Sequence, residues 1–412
     1  MALLVSLGLA FYSSYDQLVA EYHFRAAEKA LASRQLVDAK AHVEVCLQIW
    51  PRSAAAQFLA ARIARQAGSY DKADQLLDKC KRLHGPVEQV ELERSLLQVQ
   101  QGGISRNTEV LLLRYVEHDH HPQSIEILEA LVDGCARSYR IESALRYVGM
   151  LLDKKPGDTR ALMTRGWVHQ RMFHWESARD DYAEVLVHDP YNNQALLRLA
   201  QALAQMGQFA EAVERFQELH KREPDNPMAK LGLAQCRYKL GQIDEAEKLL
   251  EELCAKYPRK LEVALERGRF ALQMDQAAVA ENWLRRAAEL DPRDYQSHYS
   301  LYQCLKKLGK EKEAEECQKR LKEIQTDLER LNKLTDDLQY KPYEDGLHLR
   351  VEIAQIFFRS GQENEGVIYL KGALQIDPHY RPALEALTEF YEKKGLSALA
   401  REYRQRARQP SN

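Results

Sequence analysis

"GQFAEAVERFQELHKREPDNP", residues 207–227, is followed by "GQIDEAEKLLEELCAKYPRKL", residues 241–261. Both stretches begin with glycine, carry alanine at the sixth place and have proline at the eighteenth. The two glycines, Gly207 and Gly241, are 34 residues apart. The same landmarks at a fixed spacing indicate one supersecondary unit that is repeated along the chain.

Proline, alanine and glycine each keep this period over most of the sequence. The prolines are Pro51, Pro86, Pro122, Pro156, Pro190, Pro224, Pro258 and Pro292, with spacings of 35, 36 and then 34 residues. The alanines are Ala144, Ala178, Ala212, Ala246, Ala280 and Ala314, and after an 18-residue insertion the period resumes at Gly366 and Ala400. The glycines keep it at Gly68 and Gly102, at Gly207 and Gly241 and, after the insertion, at Gly361 and Gly395. Three registers that agree predict a repeat protein.

Each period contains two amphipathic helices joined by a turn. The first stripe is Leu196, Leu199, Ala200 and Leu203, and the second is Phe209, Ala212, Val213 and Phe216. This i, i+3, i+4, i+7 spacing is typical of one buried helix face. We predict a left-handed turn at Gly207, a helix N-cap at Asp225 or Asn226 and a first-turn proline at Pro227. Small residues such as Ala200 and Ala212 let the two helices approach closely.

These landmarks resemble the tetratricopeptide repeat family, whose helix–turn–helix unit has about 34 residues. The clearest unit is Thr159–Pro190, with Gly166, Ala178, Tyr182 and Pro190 in the expected order. The resemblance implies an all-α fold, a right-handed superhelical solenoid of stacked hairpins. The chain is similar to bacterial members of unassigned role. Eleven units are expected, beginning near residues 20, 54, 91, 125, 159, 193, 227, 261, 295, 347 and 381.

The predicted organisation has four parts. They are an apolar segment at 1–19, nine units over 20–326, a helix extension and loop at 327–346, and two units over 347–412. The units at 91 and 347 match the pattern weakly and are candidate joints. In the extension, apolar residues spaced by three and four predict a helix to about Gln339 that ends before Pro342. We favour its packing on the solenoid over a coiled-coil seam.

The N-terminal stretch "MALLVSLGLAFYSSY" has no charge and is too short for the roughly 20 residues that span a bilayer. Three interpretations stay open: a membrane-anchor stub, which would tether the protein through residues 1–15, a marginal signal segment, or an apolar capping helix. The location is therefore expected to be cytoplasmic or membrane-associated. Seven cysteines without a Cys-x-x-Cys pair favour buried thiols in a reducing compartment.

Composition and motifs argue against several functions. The 59 basic residues nearly cancel 61 acidic residues, so no nucleic-acid partner is expected. Glycine loops for phosphates, Gly-x-Ser-x-Gly and His-Glu-x-x-His are missing from the sequence, which predicts neither catalytic residues nor a cofactor. The cluster His118, Asp119, His120 and His121 offers metal ligands, but we favour a solvated turn. The protein is expected not to be an enzyme, although a catalytic site outside these motifs is an open alternative.

The first helices are expected to line a concave groove that holds a protein or an extended peptide. Two residues four apart on each first helix form a ladder with an apolar rail and a mainly polar rail. The ladder comprises Met163/Trp167, Leu197/Gln201, Leu231/Gln235, Leu265/Arg269 and Tyr299/Gln303. The apolar rail is equally well explained as core between units. An alternative function is a component that organises an envelope machine for polysaccharide or pilus export.

The resemblance also excludes one type of ligand. The family's chaperone-tail binders use a lysine and asparagine clamp, but glutamine stands here at Gln201, Gln235 and Gln303. Chaperone C-termini are therefore not expected in the groove. The oligomeric state is left open by the sequence.

The role of the apolar N-terminal segment can be tested by truncation. A chain that begins at Asp16 should remain folded and become fully soluble if residues 1–15 serve as an anchor, since no unit of the solenoid is lost. Circular dichroism and centrifugation of extracts measure the two properties. Unfolding of the truncated chain would instead support the capping-helix interpretation.

Overall fold

The computed structural model describes residues 2–117, 122–138 and 140–408, with side chains from residue 15 onward. Within these ranges, the regular structure is 22 α-helices and one 3₁₀ turn. The chain divides into two compact units, Met1–His121 and Pro122–Asn412. The predicted all-α fold of consecutive helix hairpins is confirmed.

The first unit contains six helices. They are α1 (Ala2–Ala32), α2 (Leu36–Ile49), α3 (Ala54–Gln66), α4 (Tyr70–Arg82), α5 (Val87–Gln100) and α6 (Arg106–Glu117). Helices α1 and α2 pair, as do α3 and α4, around a core that includes Leu59, Ile63 and Leu77. The apolar N-terminal segment thus continues without a break into the first helix of the first hairpin.

The second unit contains the remaining helices. They are α7 (Ser124–Arg137), α8 (Ile141–Lys154), α9 (Thr159–Arg171), α10 (Trp175–His188), α11 (Asn193–Gln205), α12 (Phe209–Arg222), α13 (Pro227–Lys239), α14 (Ile243–Lys256), α15 (Leu261–Gln273), α16 (Ala277–Leu290), α17 (Tyr295–Lys307), α18 (Glu311–Tyr340), α19 (Leu347–Arg359), α20 (Glu363–Ile376), α21 (Arg381–Lys393) and α22 (Ser397–Arg408). Neighbours pair from α7/α8 to α21/α22.

Local residues end and begin these helices as the sequence predicts. Gly207 has φ of +77°, a left-handed conformation that lets α11 end before α12 starts. The Asn226 side chain accepts hydrogen bonds from the backbone N–H groups of Met228 and Ala229 at 3.0 and 3.3 Å. Pro227 occupies the first turn of α13, where its missing N–H leaves no hydrogen bond unmade.

A small residue on each first helix faces a large residue on the second helix in four consecutive hairpins. The pairs are Gly166/Tyr182, Ala200/Phe216, Ala234/Leu250 and Gly268/Leu284. A methyl group at Gly166 would lie 2.7 Å from Cε1 of Tyr182. One at Gly268 would lie 2.6 Å from Cδ2 of Leu284. The close helix approach therefore requires a small side chain on one partner.

The cysteines are core residues. Cys46, Cys80, Cys135, Cys236, Cys304 and Cys317 are buried, and Cys254 is half-buried; none forms a disulfide. Burial raises the pKa of Cys236 and Cys254 to about 11, so the thiols stay protonated and unreactive near neutral pH. Burial is thus confirmed for six of the seven cysteines, whereas Cys254 departs from the prediction.

Helix α18 includes the predicted extension and ends at Tyr340, one residue beyond the predicted end. Its last turns bury Leu334 and Leu338 in one cluster with residues of α19, α20 and α21. The extension thus packs within the chain, as we favoured, while Leu328 stays 44% exposed. In the described residues, no helix combines the length and apolarity needed to cross a membrane.

Overpacking at a hairpin crossing tests this architecture. Ala212 of α12 is fully buried, so Ala212→Leu should lower the free energy of unfolding by about 1–3 kcal/mol. Ala210→Leu on the exposed face of the same helix is the matched control and should change stability little. Urea unfolding followed by circular dichroism measures both variants. Equal effects would contradict close packing at Ala212.

Candidate functional site

The ten ladder residues lie on five first helices, α9, α11, α13, α15 and α17, at equivalent positions. Their apolar rail is mostly covered by neighbouring hairpins. Leu231 is 4% exposed and belongs to a core cluster with Leu250 and Phe270. Met163, Leu197 and Leu265 are half-buried and pack against core clusters, whereas Tyr299 is 41% exposed. The structure thus places most of this rail between hairpins.

The second rail is more accessible. Gln235, Arg269 and Gln303 are exposed, and Trp167 and Gln201 are half-buried. Each lies one turn beyond its apolar partner, where the neighbouring hairpin covers the first helix less completely. The two rails therefore differ in exposure: the apolar rail contributes to packing between hairpins, and the polar rail contributes to the surface.

Met163 and Trp167 line a cavity of about 420 Å³. It is bordered by three consecutive first helices, α7, α9 and α11, together with Tyr182 of α10. The remaining lining residues are Asp133, Ala136, Arg137, Arg160, Thr164, Gln194 and Arg198. An indole, a thioether and a phenol supply an apolar surface, and three guanidinium groups surround it. Such a site can hold an aromatic or aliphatic side chain beside a carboxylate.

Hydrogen bonds orient several of these groups. Arg160 donates from Nη2 to Oδ2 of Asp133 at 2.7 Å, which joins α9 to α7. Arg198 donates from Nη1 to Oε1 of Gln201 at 3.3 Å. The Tyr182 hydroxyl donates to Oε1 of Gln170 at 3.1 Å. Burial raises the pKa of Tyr182 to about 12, so this hydroxyl remains a neutral donor.

A partly buried polar cluster joins α9 to α10 beside Trp167. Arg165 holds Asp181 with two nitrogens, at 2.6 Å from Nη2 and 2.9 Å from Nε to Oδ1. His169 Nε2 lies 3.9 Å from Oδ2 of the same carboxylate. Burial lowers the pKa of His169, although the negative charge of Asp181 opposes this effect. The cluster fixes the rotation of α9 and therefore the position of its exposed face.

Four groups of this cavity are not members of the predicted ladder. Asp133 stands 34 residues before Trp167, at the equivalent place on α7, and so extends the polar rail by one hairpin. Arg137, Arg160 and Arg198 lie beside the rail on the same three helices. The ladder considered only two positions per helix. The same period applied to neighbouring positions would have included them.

The predicted histidine cluster, His118, Asp119, His120 and His121, lies outside the described residues. In the described ranges, no group of three or more histidine, cysteine, aspartate and glutamate side chains is arranged to hold a metal ion.

Comparison with known proteins supports the repeat assignment. A family model described as "Tetratricopeptide repeat" matches residues 203–265, which include α12 to α14. Over these residues the match agrees with the family that the landmark spacing predicts. No curated protein matches the chain significantly.

Several solved structures are similar to the chain at low identity. A tetratricopeptide repeat protein from Parabacteroides merdae is 16% identical over 70% of this chain and 99% of its own, with a TM-score of 0.39. PilW, described as a type IV pilus biogenesis factor, is 19% identical over 48% and 92%, with a TM-score of 0.43. YrrB, described as having an unusual peptide-binding site, is 15% identical over 46% and 96%, with a TM-score of 0.37.

The pKa of His169 predicts a pH dependence of stability. Because the folded pKa lies below the unfolded value of about 6.5, the unfolded chain binds more protons in mild acid. The free energy of unfolding should therefore fall as the pH decreases through this range. His169→Gln should make the fall smaller. Urea unfolding at about pH 7.5 and about pH 5.5 measures it, and an identical fall in both proteins would exclude a contribution from His169.

Proposed function

We propose that this tetratricopeptide repeat protein is a non-enzymatic scaffold that binds an extended segment of another protein. The segment lies along the first helices of five consecutive hairpins, α9, α11, α13, α15 and α17. The observation that carries the proposal is the cavity around Trp167, formed by three consecutive first helices. A large aromatic side chain in a concave, partly apolar site is a common anchor of protein interfaces. The ten ladder residues take two different roles: the exposed rail contacts the partner, and the buried rail packs the hairpins together.

The exposed rail supplies the contacts in this proposal. Gln235 and Gln303 each offer an amide donor and an amide acceptor, which can pair with the backbone of an extended peptide. Arg269 adds a guanidinium group two hairpins beyond Gln201. The buried rail, with Leu231 at its centre, holds the hairpins in register so that these groups stay aligned.

Charge favours an acidic segment at the Trp167 end. Arg137, Arg160 and Arg198 line the cavity together with one carboxylate, that of Asp133. Arginine pairs well with carboxylates because its planar donors match their geometry. We therefore infer a ligand with an apolar side chain for the cavity and acidic residues next to it.

Substitution of the two anchors tests the proposal. A partner is first isolated on the full chain by affinity purification and identified by mass spectrometry, and its affinity is then measured by titration. Trp167→Ala with Arg269→Ala should weaken binding at least tenfold, since truncation of such anchors removes about 2 kcal/mol or more. Thermal stability should change little, because both side chains are at least partly solvent-accessible.

The matched control lies on the second helix α12. Glu211 and Arg215 are exposed there, so Glu211→Ala with Arg215→Ala should have a small effect on binding. If this outer pair abolishes binding and the groove pair does not, the partner binds elsewhere and the ladder serves packing alone.

A further inference from the structure

The regular stacking of hairpins is interrupted after α17/α18. In the preceding hairpin, α15/α16, the next first helix fills the groove between the two helices: Leu301 and Leu305 of α17 share a core cluster with Ala271 and Leu284. The equivalent groove between α17 and α18 is open, with a volume of about 670 Å³. Helix α19 instead packs on the last turns of α18, beside Leu334 and Leu338.

The residues at this groove depart from the pattern of the four preceding hairpins. By the 34-residue period, the small residue of the packing pair should be at position 302 and the large one at position 318. The chain has Tyr302 and Gln318 there, and both line the groove. The pair is thus reversed in size, and Gln318 is exposed. A glutamine here needs no buried partner because no helix covers it.

The groove has a defined chemical pattern. Tyr295, Tyr299 and Tyr302 form one wall, and the rings of Tyr295 and Tyr299 stack with centroids 6.0 Å apart and an angle of 10°. On α18, Lys319 and Lys322 lie at the centre, between Glu315 and Glu329. Neither lysine forms a salt bridge with a described residue. Gln325 donates to Oε1 of Glu329 at 2.7 Å.

We propose that this groove binds one amphipathic α-helix of a partner protein, in the place that the next first helix would take in an uninterrupted stack. A helix is the body that fits, because the groove continues the hairpin-on-hairpin interface that α17 makes with α15 and α16. Its apolar residues contact the tyrosine wall. The charges on α18 require an acidic residue near its middle and basic residues towards its ends.

The dimensions set the length of this helix. Glu315 and Glu329 are 14 residues apart on one helix, which corresponds to about 21 Å at a rise of about 1.5 Å per residue. The partner helix therefore needs about four turns to reach both acidic ends. The site shares Tyr299 with the proposed peptide-binding ladder but does not include Trp167, so the two sites can be tested apart.

The test uses the full chain and a phage-displayed library of random peptides long enough for a four-turn helix. Selected peptides should show apolar residues at i, i+3 or i+4 and i+7 with a central acidic residue, and they should gain helicity on binding by circular dichroism. Tyr302→Gly with Gln318→Leu restores the size order of the four preceding hairpins and should weaken binding at least tenfold. Trp167→Ala should leave binding unchanged.

A second variant with exchanged charges tests the proposal independently, in case Tyr302→Gly with Gln318→Leu fails to fold. Lys319→Glu with Lys322→Glu should weaken binding at least tenfold, and a peptide whose central acid is replaced by lysine should recover affinity for it. Lys312→Glu, which is exposed on the same helix outside the groove, is the control and should have no effect.

Three results would overturn the proposal. One is a proline-rich or otherwise extended consensus among the selected peptides. Another is an affinity of the selected peptides that the groove variants leave unchanged. The third is self-association of the full chain in sedimentation that the Lys319→Glu and Lys322→Glu variant abolishes, because the occupant would then be a second copy.

Discussion

The close approach of two helices within a hairpin depends on a small side chain facing a large one. At Gly166 and Gly268 even one methyl group would collide with the partner ring or side chain. Because each large residue also packs towards neighbouring hairpins, as Phe216 does against Gly232, this contact sets the distance between hairpins as well. The regularity of the stack is thus a packing requirement of four successive residue pairs rather than a property of helix propensity.

The stacking of hairpins explains why packing and the proposed binding fall on different positions of the same helix. A residue that faces the next hairpin, such as Leu231, is removed from water and contributes through its buried area. A residue one turn further, such as Gln235, lies beyond the covered zone and stays polar without cost. The first helices therefore carry a structural stripe and an accessible stripe side by side, and substitutions in the second leave the first intact.

Much of the fold could be predicted from the sequence because its signals are local and repeated. Gly207, Asn226 and Pro227 act through their own backbone or side chain within one turn, so their roles can be read without knowledge of the tertiary structure. Other features depend on what packs nearby. The continuity of α1 into the first hairpin has no such signal, because no landmark precedes the first period. Phe173, with φ of +59°, occupies the turn position that Gly207 and Gly241 hold in the next two hairpins, and its left-handed backbone costs about 1–2 kcal/mol.

The departures around α18 are consistent only when taken together. A large Tyr302 beneath a tightly packed following helix would overfill the contact, and a buried Gln318 would need hydrogen-bond partners. Conversely, a longer α18 that displaced α19 while keeping a leucine at position 318 would expose an apolar side chain. The extension of α18 leaves Tyr302 and Gln318 uncovered, so neither overpacking nor an unsatisfied buried amide results. The polar Gln318 in turn avoids an exposed apolar side chain in the open groove. Such agreement between local composition and global packing supports the proposed helix-binding groove over an accidental gap in the stack.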